Sequence, residues 1–261
     1  MNFKRIIYAL LYEKGSFYLS RNFRLQKVGD VEWLRNNFGF GNTCHHIDEL
    51  MIILVSKNPS KDEIKQYFKD ILKLKEKIFV PITLGGGIRN FNNAQSYFVN
   101  GADKILINHL AHDDHNEIKK ISNTYGEQAI SIMVDYKRIE GINYTFTDGA
   151  TNKKKSLQDY LESLTLLNFG EIIINSIDKD GTASGFDVSF LKELPNNFSK
   201  PILIMGGAGK PEHFTNVLEK EEVTGLVTAN LFNFLGNGLE LARTYSINNR
   251  INLIKFDKTN I

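Results

Sequence analysis

Short apolar, β-branched runs alternate with longer amphipathic stretches along the whole chain. The runs fall at 5–10, 50–55, 82–84, 104–107, 130–135, 171–175, 202–205 and 225–228. Their length and residue types predict eight strands. A 3.6-residue period between them predicts helices near 30–40, 60–75, 92–100, 112–125, 156–168, 187–194, 211–219 and 239–248. Eight β–α units of roughly 30 residues fit a closed parallel (β/α)8 barrel of about 250 residues better than an open doubly wound sheet. Nothing marks a linker, so residues 1–261 read as one barrel domain. Extra chain sits at 12–29, a long connection after the first strand, and at 138–151, a small hairpin after the fifth with a turn at Asp148-Gly149. Both follow the C-terminal ends of strands, the side on which such barrels keep their chemistry.

One pattern occurs twice. V-P-I-T-L-G-G-G-I-R at 80–89 returns as P-I-L-I-M-G-G-A-G-K at 201–210, close to half a chain length away. The repeat suggests two similar half-barrels, about 1–125 and 126–250. Each copy is a strand that ends in glycines and opens into a helix, which leaves backbone N–H groups free for an anion, most often phosphate. The candidate anchors are Gly86 and Gly87 with Asn108 after the fourth strand, and Gly206 and Gly207 with Ala229 and Asn230 after the eighth. A tight β–α turn also wants glycine for backbone reasons alone. The half-chain spacing favours the functional reading, a ligand with two phosphates lying across the mouth.

Acid–base chemistry at a barrel mouth needs titratable groups on strand ends. Asp135 closes the fifth strand after an apolar run, and Asp178 and Asp180 follow the sixth in S-I-D-K-D-G-T, a segment that reads equally well as a polar turn. The first strand ends Y-A-L-L-Y and carries no acid. His109, His112 and His115 flank Asp113 and Asp114 with ligand-like spacing, but a polar helix start explains them, and no metal or cofactor is expected. His45, His46 and His213 read as surface or cap residues. Arg5, Glu49, Lys104 and Glu171 each precede an apolar run with alternating sign. They form either a ring of ion pairs on the barrel floor or an ordinary set of rim charges.

Composition narrows the partners. Lys and Arg total 32 against 30 Asp and Glu, and a net charge of +2 gives no footprint for nucleic acid. No run is long and apolar enough to span a membrane, and M-N-F-K-R leads directly into the first strand, so a soluble, cytoplasmic protein is expected. Cys44 is the single cysteine, a free thiol without an internal disulfide partner.

Together these motifs resemble the cyclase subunit of imidazole glycerol phosphate synthase, the ammonia-using TIM barrel of histidine biosynthesis. The resemblance is carried by K-R-I-I at 4–7, V-P-I-T-L-G-G-G-I-R, G-A-D-K-I-L-I-N at 101–108, V-D-Y-K-R, G-E-I-I-I-N-S-I-D-K-D-G-T at 170–182 and G-G-A-G-K-P-E-H-F at 206–214. It implies a heterodimer with a glutaminase, docked on the N-terminal rim, whose ammonia crosses the barrel to a bisphosphate ligand at the mouth. There, lyase and cyclase chemistry uses one aspartate on strand one and one on strand five. The resemblance makes Asp135 catalytic, turns Arg5, Glu49, Lys104 and Glu171 into an ammonia gate, and puts Asp103 at the partner interface. The departures are concentrated at the mouth: Leu11 stands for the strand-one aspartate, Leu54 for the strand-two aspartate and Leu19 for the mobile-loop lysine. Asn230 and Asn233 stand where the family has serine and histidine. Loss of a general acid or base typically costs 10²–10⁴-fold in rate. The chain is therefore expected to deliver ammonia without imidazole chemistry, like paralogues that occur beside sugar amidotransferases making amidino groups on surface polysaccharides. The alternatives are a working cyclase that relies on Asp135 with Asp178 or Asp180, and a non-catalytic scaffold for a phosphorylated small molecule.

Overall fold

The computed structural model describes residues 3–37, 44–76, 78–229 and 237–256. Eight parallel strands close into a barrel: β1 (Arg5–Glu13), β4 (Glu49–Leu54), β5 (Ile82–Gly85), β6 (Lys104–Ile107), β7 (Ile130–Ile139), β10 (Glu171–Ser176), β11 (Ile202–Met205) and β12 (Val223–Thr228). Neighbours along this order are hydrogen-bonded, and β12 pairs with β1 to complete the circle. Helices α1 (Val31–Asn37), α2 (Lys61–Lys75), α3 (Phe91–Val99), α4 (His109–Asp113), α5 (His115–Tyr125), α6 (Leu157–Leu164) and α7 (Pro211–Leu218) lie between the strands in sequence, and α8 (Gly238–Asn248) follows the last of them. The expected barrel is present, with eight strands at the predicted runs.

The differences lie in the connections. The chain at 12–29 is not a loose crossing: β1 runs on past the barrel rim and folds back as β2 (Ser16–Arg21) and β3 (Arg24–Gly29), a three-stranded antiparallel ribbon. β7 overruns in the same way and continues through β8 (Ile142–Thr147) and β9 (Asn152–Ser156). That insertion therefore has two turns, one at Glu140-Gly141 and the expected one at Asp148-Gly149, all four residues with positive φ. The fourth predicted helix is broken at Asp114, whose carboxylate accepts the N–H groups of Asn116 and Glu117 and starts α5 afresh. The sixth is only a 3₁₀ turn, Ser189–Glu193, cut short by Pro195.

Alternation along the strands divides the core in two. One set of side chains, including Tyr12, Leu54, Ile132 and Ile174, faces outward into the layer beneath the helices, where Tyr67 of the helix Lys61–Lys75 packs against it. The other set, Ile7, Ala9, Met51, Leu106, Met133, Ile173, Leu203, Met205 and Val227, fills the barrel interior. At the floor the strand starts are tied by acids. Asp48 accepts the Ile6 N–H and pairs bidentately with buried Arg243, and Asp103 accepts the Ile82 N–H at 2.8 Å.

Candidate functional site

On three adjacent strands the inward positions read as matching columns: Lys104, Leu106, Asn108 along β6 and its end; Ser131, Met133, Asp135 along β7; Glu171, Ile173, Asn175 along β10. Each is polar at the floor, apolar in the middle and polar at the mouth.

At the floor the alternating charges do form a ring. Arg5, Glu49, Lys104 and Glu171 are the first residues of β1, β4, β6 and β10. Arg5 lies 2.6 Å from Glu171 and 3.5 Å from Glu49, while Lys104 lies 2.7 Å from Glu49 and 3.0 Å from Glu171. Thr83 and Ser131 donate hydroxyl hydrogen bonds to Glu49 and Glu171, so both buried acids are fully engaged. Burial alone would push the Glu171 carboxyl up, but Arg5 and Lys104 hold it below its ordinary value. Asp103 lies beside this ring on the rim, exposed apart from its bond to Ile82.

Above the ring the barrel interior is packed with hydrocarbon side chains, and above that the mouth opens into a cavity of about 590 Å³ bordered by Leu11, Ile53, Asn108, Asp135, Asn175 and Asp180. Both Asp135 oxygens are held, by Asn175 Nδ2 at 2.7 Å and Asn108 Nδ2 at 2.8 Å. Burial raises this carboxyl to about 6; the two amides oppose the rise and the Asp180 charge adds to it. Asp180 is turned to the ribbon. Its carboxylate accepts from Ser20 Oγ at 2.5 Å and from the Phe23 N–H at 2.9 Å, and its carbonyl accepts from the Asn22 N–H at 3.0 Å. Asp178 is exposed, caps the Arg138 N–H and does not border this cavity.

The three leucines occupy different places. Leu11 faces the cavity, and Leu19 faces a cleft of about 360 Å³ beneath the ribbon. Leu54 borders the cavity but belongs to the layer beneath the helices.

Packing alone explains the glycine repeats. A Cβ on Gly86 would overlap the Leu54 carbonyl oxygen, and one on Gly207 would overlap that of Gly185, with both residues at positive φ. Cations nevertheless collect near both grips. Arg21 and Arg24 border the cleft that holds Gly206, Gly207 and Ala229, while Lys14, Lys57 and Arg89 border the cavity beside Gly86 and Gly87. The side-chain amide of Asn108 is committed to Asp135. Asn230 and Asn233 lie outside the described residues, as does the side chain of Cys44.

The histidines go separate ways. His109 sits between Asp113 at 2.5 Å and Asp148 at 3.3 Å, and Asp148 also pairs with Arg89. His112 stacks on Tyr160 with ring centroids 3.8 Å apart, and burial pushes it down to about 4. Sequence reasoning passed over Asn175, Arg21 and Arg24. The available signal for Asn175 was a lone amide closing an otherwise apolar strand run, E-I-I-I-N.

The chain matches the model of a family described as histidine biosynthesis protein over residues 45–237. It is 41% identical over 244 residues, 93% of this chain and 90% of the relative, to a protein of Parasynechococcus marenigrum (strain WH8102) provisionally named imidazole glycerol phosphate synthase subunit hisF2. It is 31% identical over 245 residues, 93% of this chain and 95% of the relative, to the imidazole glycerol phosphate synthase subunit HisF of Chlorobium phaeobacteroides (strain BS1). With the HisF subunit of Thermotoga sp. (strain RQ2) it shares 36% identity over 214 residues, 81% of this chain and 82% of the relative.

Proposed function

The chain belongs to the histidine biosynthesis protein family, as a HisF-like relative of the imidazole glycerol phosphate synthase subunits, and from that premise we propose that it is an ammonia-conducting barrel that works with a glutaminase and no longer closes the imidazole ring. The observation that carries the reading is the contrast between the two ends of the barrel: a complete ion-pair ring at the floor, and a mouth where Leu11 borders the same cavity as Asp135 from a strand four places away. Leucine can neither give nor take a proton, which leaves Asp135 without a strand-one partner.

The physics of the passage fits neutral ammonia. Ammonium would have to leave water for a hydrocarbon lining, at a cost of several kcal/mol, whereas the uncharged molecule loses little. The two cations of the ring each touch both acids, so one can swing aside while the other keeps the acids paired. The same rim carries exposed apolar side chains, Phe3, Phe79, Val99 and Leu166, in the segments that lead into β1, β5, β6 and β10. Such a patch suits a docked partner, and the relatives are themselves named as subunits. At the other end the ammonia would pass to a separate amidotransferase acting on a surface sugar, with the basic grips holding an anionic ligand or docking contact.

The test is reconstitution with a purified glutaminase subunit of the kind that partners HisF proteins. Binding and stimulated glutamine hydrolysis are expected, and Phe79→Asp should weaken both while leaving the melting temperature unchanged, because Phe79 is 93% exposed. A glutaminase that neither binds nor responds would remove the proposal. One observation favours a second reading, retained cyclase activity: Asp135, raised to about 6, shares its cavity with Asp180. Incubation with ammonium and the family's bisphosphate substrate decides it, and turnover within about tenfold of an ordinary member would make this second reading correct.

A further inference from the structure

The ribbon separates two spaces of opposite charge. Across β2 and β3, Leu19 is the register partner of Gln26, and Arg21 that of Arg24. Alternation puts these four side chains on one face, and all four border the cleft of about 360 Å³. Arg21 and Arg24 thus stand directly opposite each other, an arrangement of like charges that destabilises a strand pair. Among the described residues neither arginine forms an ion pair. Asp180 is the one described acid that borders the cleft, and its carboxylate is taken by Ser20 Oγ and the Phe23 N–H.

On the other side of the ribbon the balance is reversed. Glu13, Glu63, Asp135, Asp148 and Asp180 border the mouth cavity against Lys14, Lys57 and Arg89. Arg89, two residues beyond the first glycine turn, is paired with Asp148 at 2.9 Å, and the same carboxylate faces His109 at 3.3 Å. A polyanion is therefore attracted to the cleft at Gly206 and Gly207 and repelled from the cavity at Gly86 and Gly87. The glycines repeat between the half-barrels; the charge beside them does not.

We propose that the cleft binds the diphosphate end of a ligand that carries its negative charge at one end only, with one phosphoryl group on Arg21 and the other on Arg24. The inference rests on the reading above that an anionic ligand sits at the mouth, and it names the class of that ligand. Each guanidinium is a planar fork that takes a phosphoryl group through two parallel N–H bonds, so two forks side by side match two linked phosphoryl groups. The bound charge also relieves the repulsion between the arginines. Leu19, Met205 and Val227 line the same cleft with hydrocarbon, which keeps water away and strengthens the attraction. The rest of the ligand, which meets the acid-rich cavity, is uncharged or cationic. Two phosphates on opposite sides of the mouth, the expectation from the paired glycine turns, do not suit this asymmetry.

The test is calorimetric titration of the full-length barrel with inorganic pyrophosphate and, separately, with inorganic phosphate, in metal-free buffer at constant ionic strength. One pyrophosphate per chain is expected, held at least about tenfold more tightly than phosphate. Arg21→Gln and Arg24→Gln should each cost about tenfold in pyrophosphate affinity, and the double variant should bind it no better than phosphate. Both side chains are exposed, so the melting temperature without ligand should not fall. Arg89→Gln should leave the pyrophosphate affinity unchanged. Two sites in the parent, no detectable pyrophosphate binding, or a loss in Arg89→Gln as large as in Arg21→Gln overturns the proposal. Weak binding that is indifferent to both ribbon arginines is an adventitious ion only and overturns it too. No glutaminase is in the cell, so a negative result here leaves the ammonia-conducting reading standing, and a failed docking experiment leaves this site standing.

Discussion

Asp135 shows how far one residue's surroundings decide its behaviour. Its folded-state carboxyl titrates near 6, above the ordinary 3.8, because burial penalises the charge more than two amides repay. A raised carboxyl stabilises the fold below the unfolded value and loses that contribution as pH rises through the folded one, so at neutral pH Asp135 is a net cost. Asp135→Asn is therefore expected to raise stability at pH 7, by at most about 3 kcal/mol, and to lose that advantage near pH 4. Urea denaturation of both proteins at the two pH values checks this. The sequence singled out Asp135 because an acid closing an apolar strand is hard to explain as a solvated charge. It gave no hint that Asp180, chosen on the same kind of evidence, would spend its carboxylate on Ser20 and Phe23, since those partners lie far away in the chain.

At the scale of elements, the ribbon of β1, β2 and β3 is the feature that periodicity left out. Its strands are short, β3 is largely exposed, and the alternation there is too weak to separate strand from loop. What fixes the ribbon over the mouth is its turn, clasped by Asp180 and by the close approach of Gly181 to the Ser20 and Arg21 backbone. Asp180→Ala removes two of the three clasping hydrogen bonds. Limited proteolysis should then cut within 21–24 severalfold faster than in the parent, with the thermal midpoint of the barrel little changed, because the barrel's own ladders are untouched. Unchanged cleavage would mean that the ribbon is held by its apolar face, through Leu19 and Leu25, and not by the aspartate. The helices were easier to read than the ribbon. Ser60, Asn90 and Ser156 cap α2, α3 and α6, and the break at Asp114 needed the competing cap to be seen in place.

For the molecule as a whole, the ring at the floor couples four strands that are distant in sequence. Glu171 is held below its ordinary value, so its contribution to stability is present above the unfolded carboxyl value and is lost as pH falls through the folded one. Lys104→Met strips one cation from two buried acids and should cost about 3–5 kcal/mol at pH 7, less in mild acid where the glutamates can protonate. Thermal unfolding across that pH range measures it. A smaller loss at pH 7 than at pH 4 would contradict the ring as the source of the effect.

The chain's own pattern determined the eight-strand parallel barrel, the strand positions to within a few residues, the alternation of charge at four strand starts and the hydrocarbon at Leu11. These are properties of local period and residue type, and they need no knowledge of what folds against what. Tertiary structure decided which charges meet, that Asp135 is gripped by Asn108 and Asn175 while Asp178 turns outward, and that Leu54 packs beneath the helices. Those outcomes depend on strand register around a closed circle and on backbone approaches across the mouth. Residues about 30 to 200 positions apart come within hydrogen-bonding distance there only once the barrel has closed.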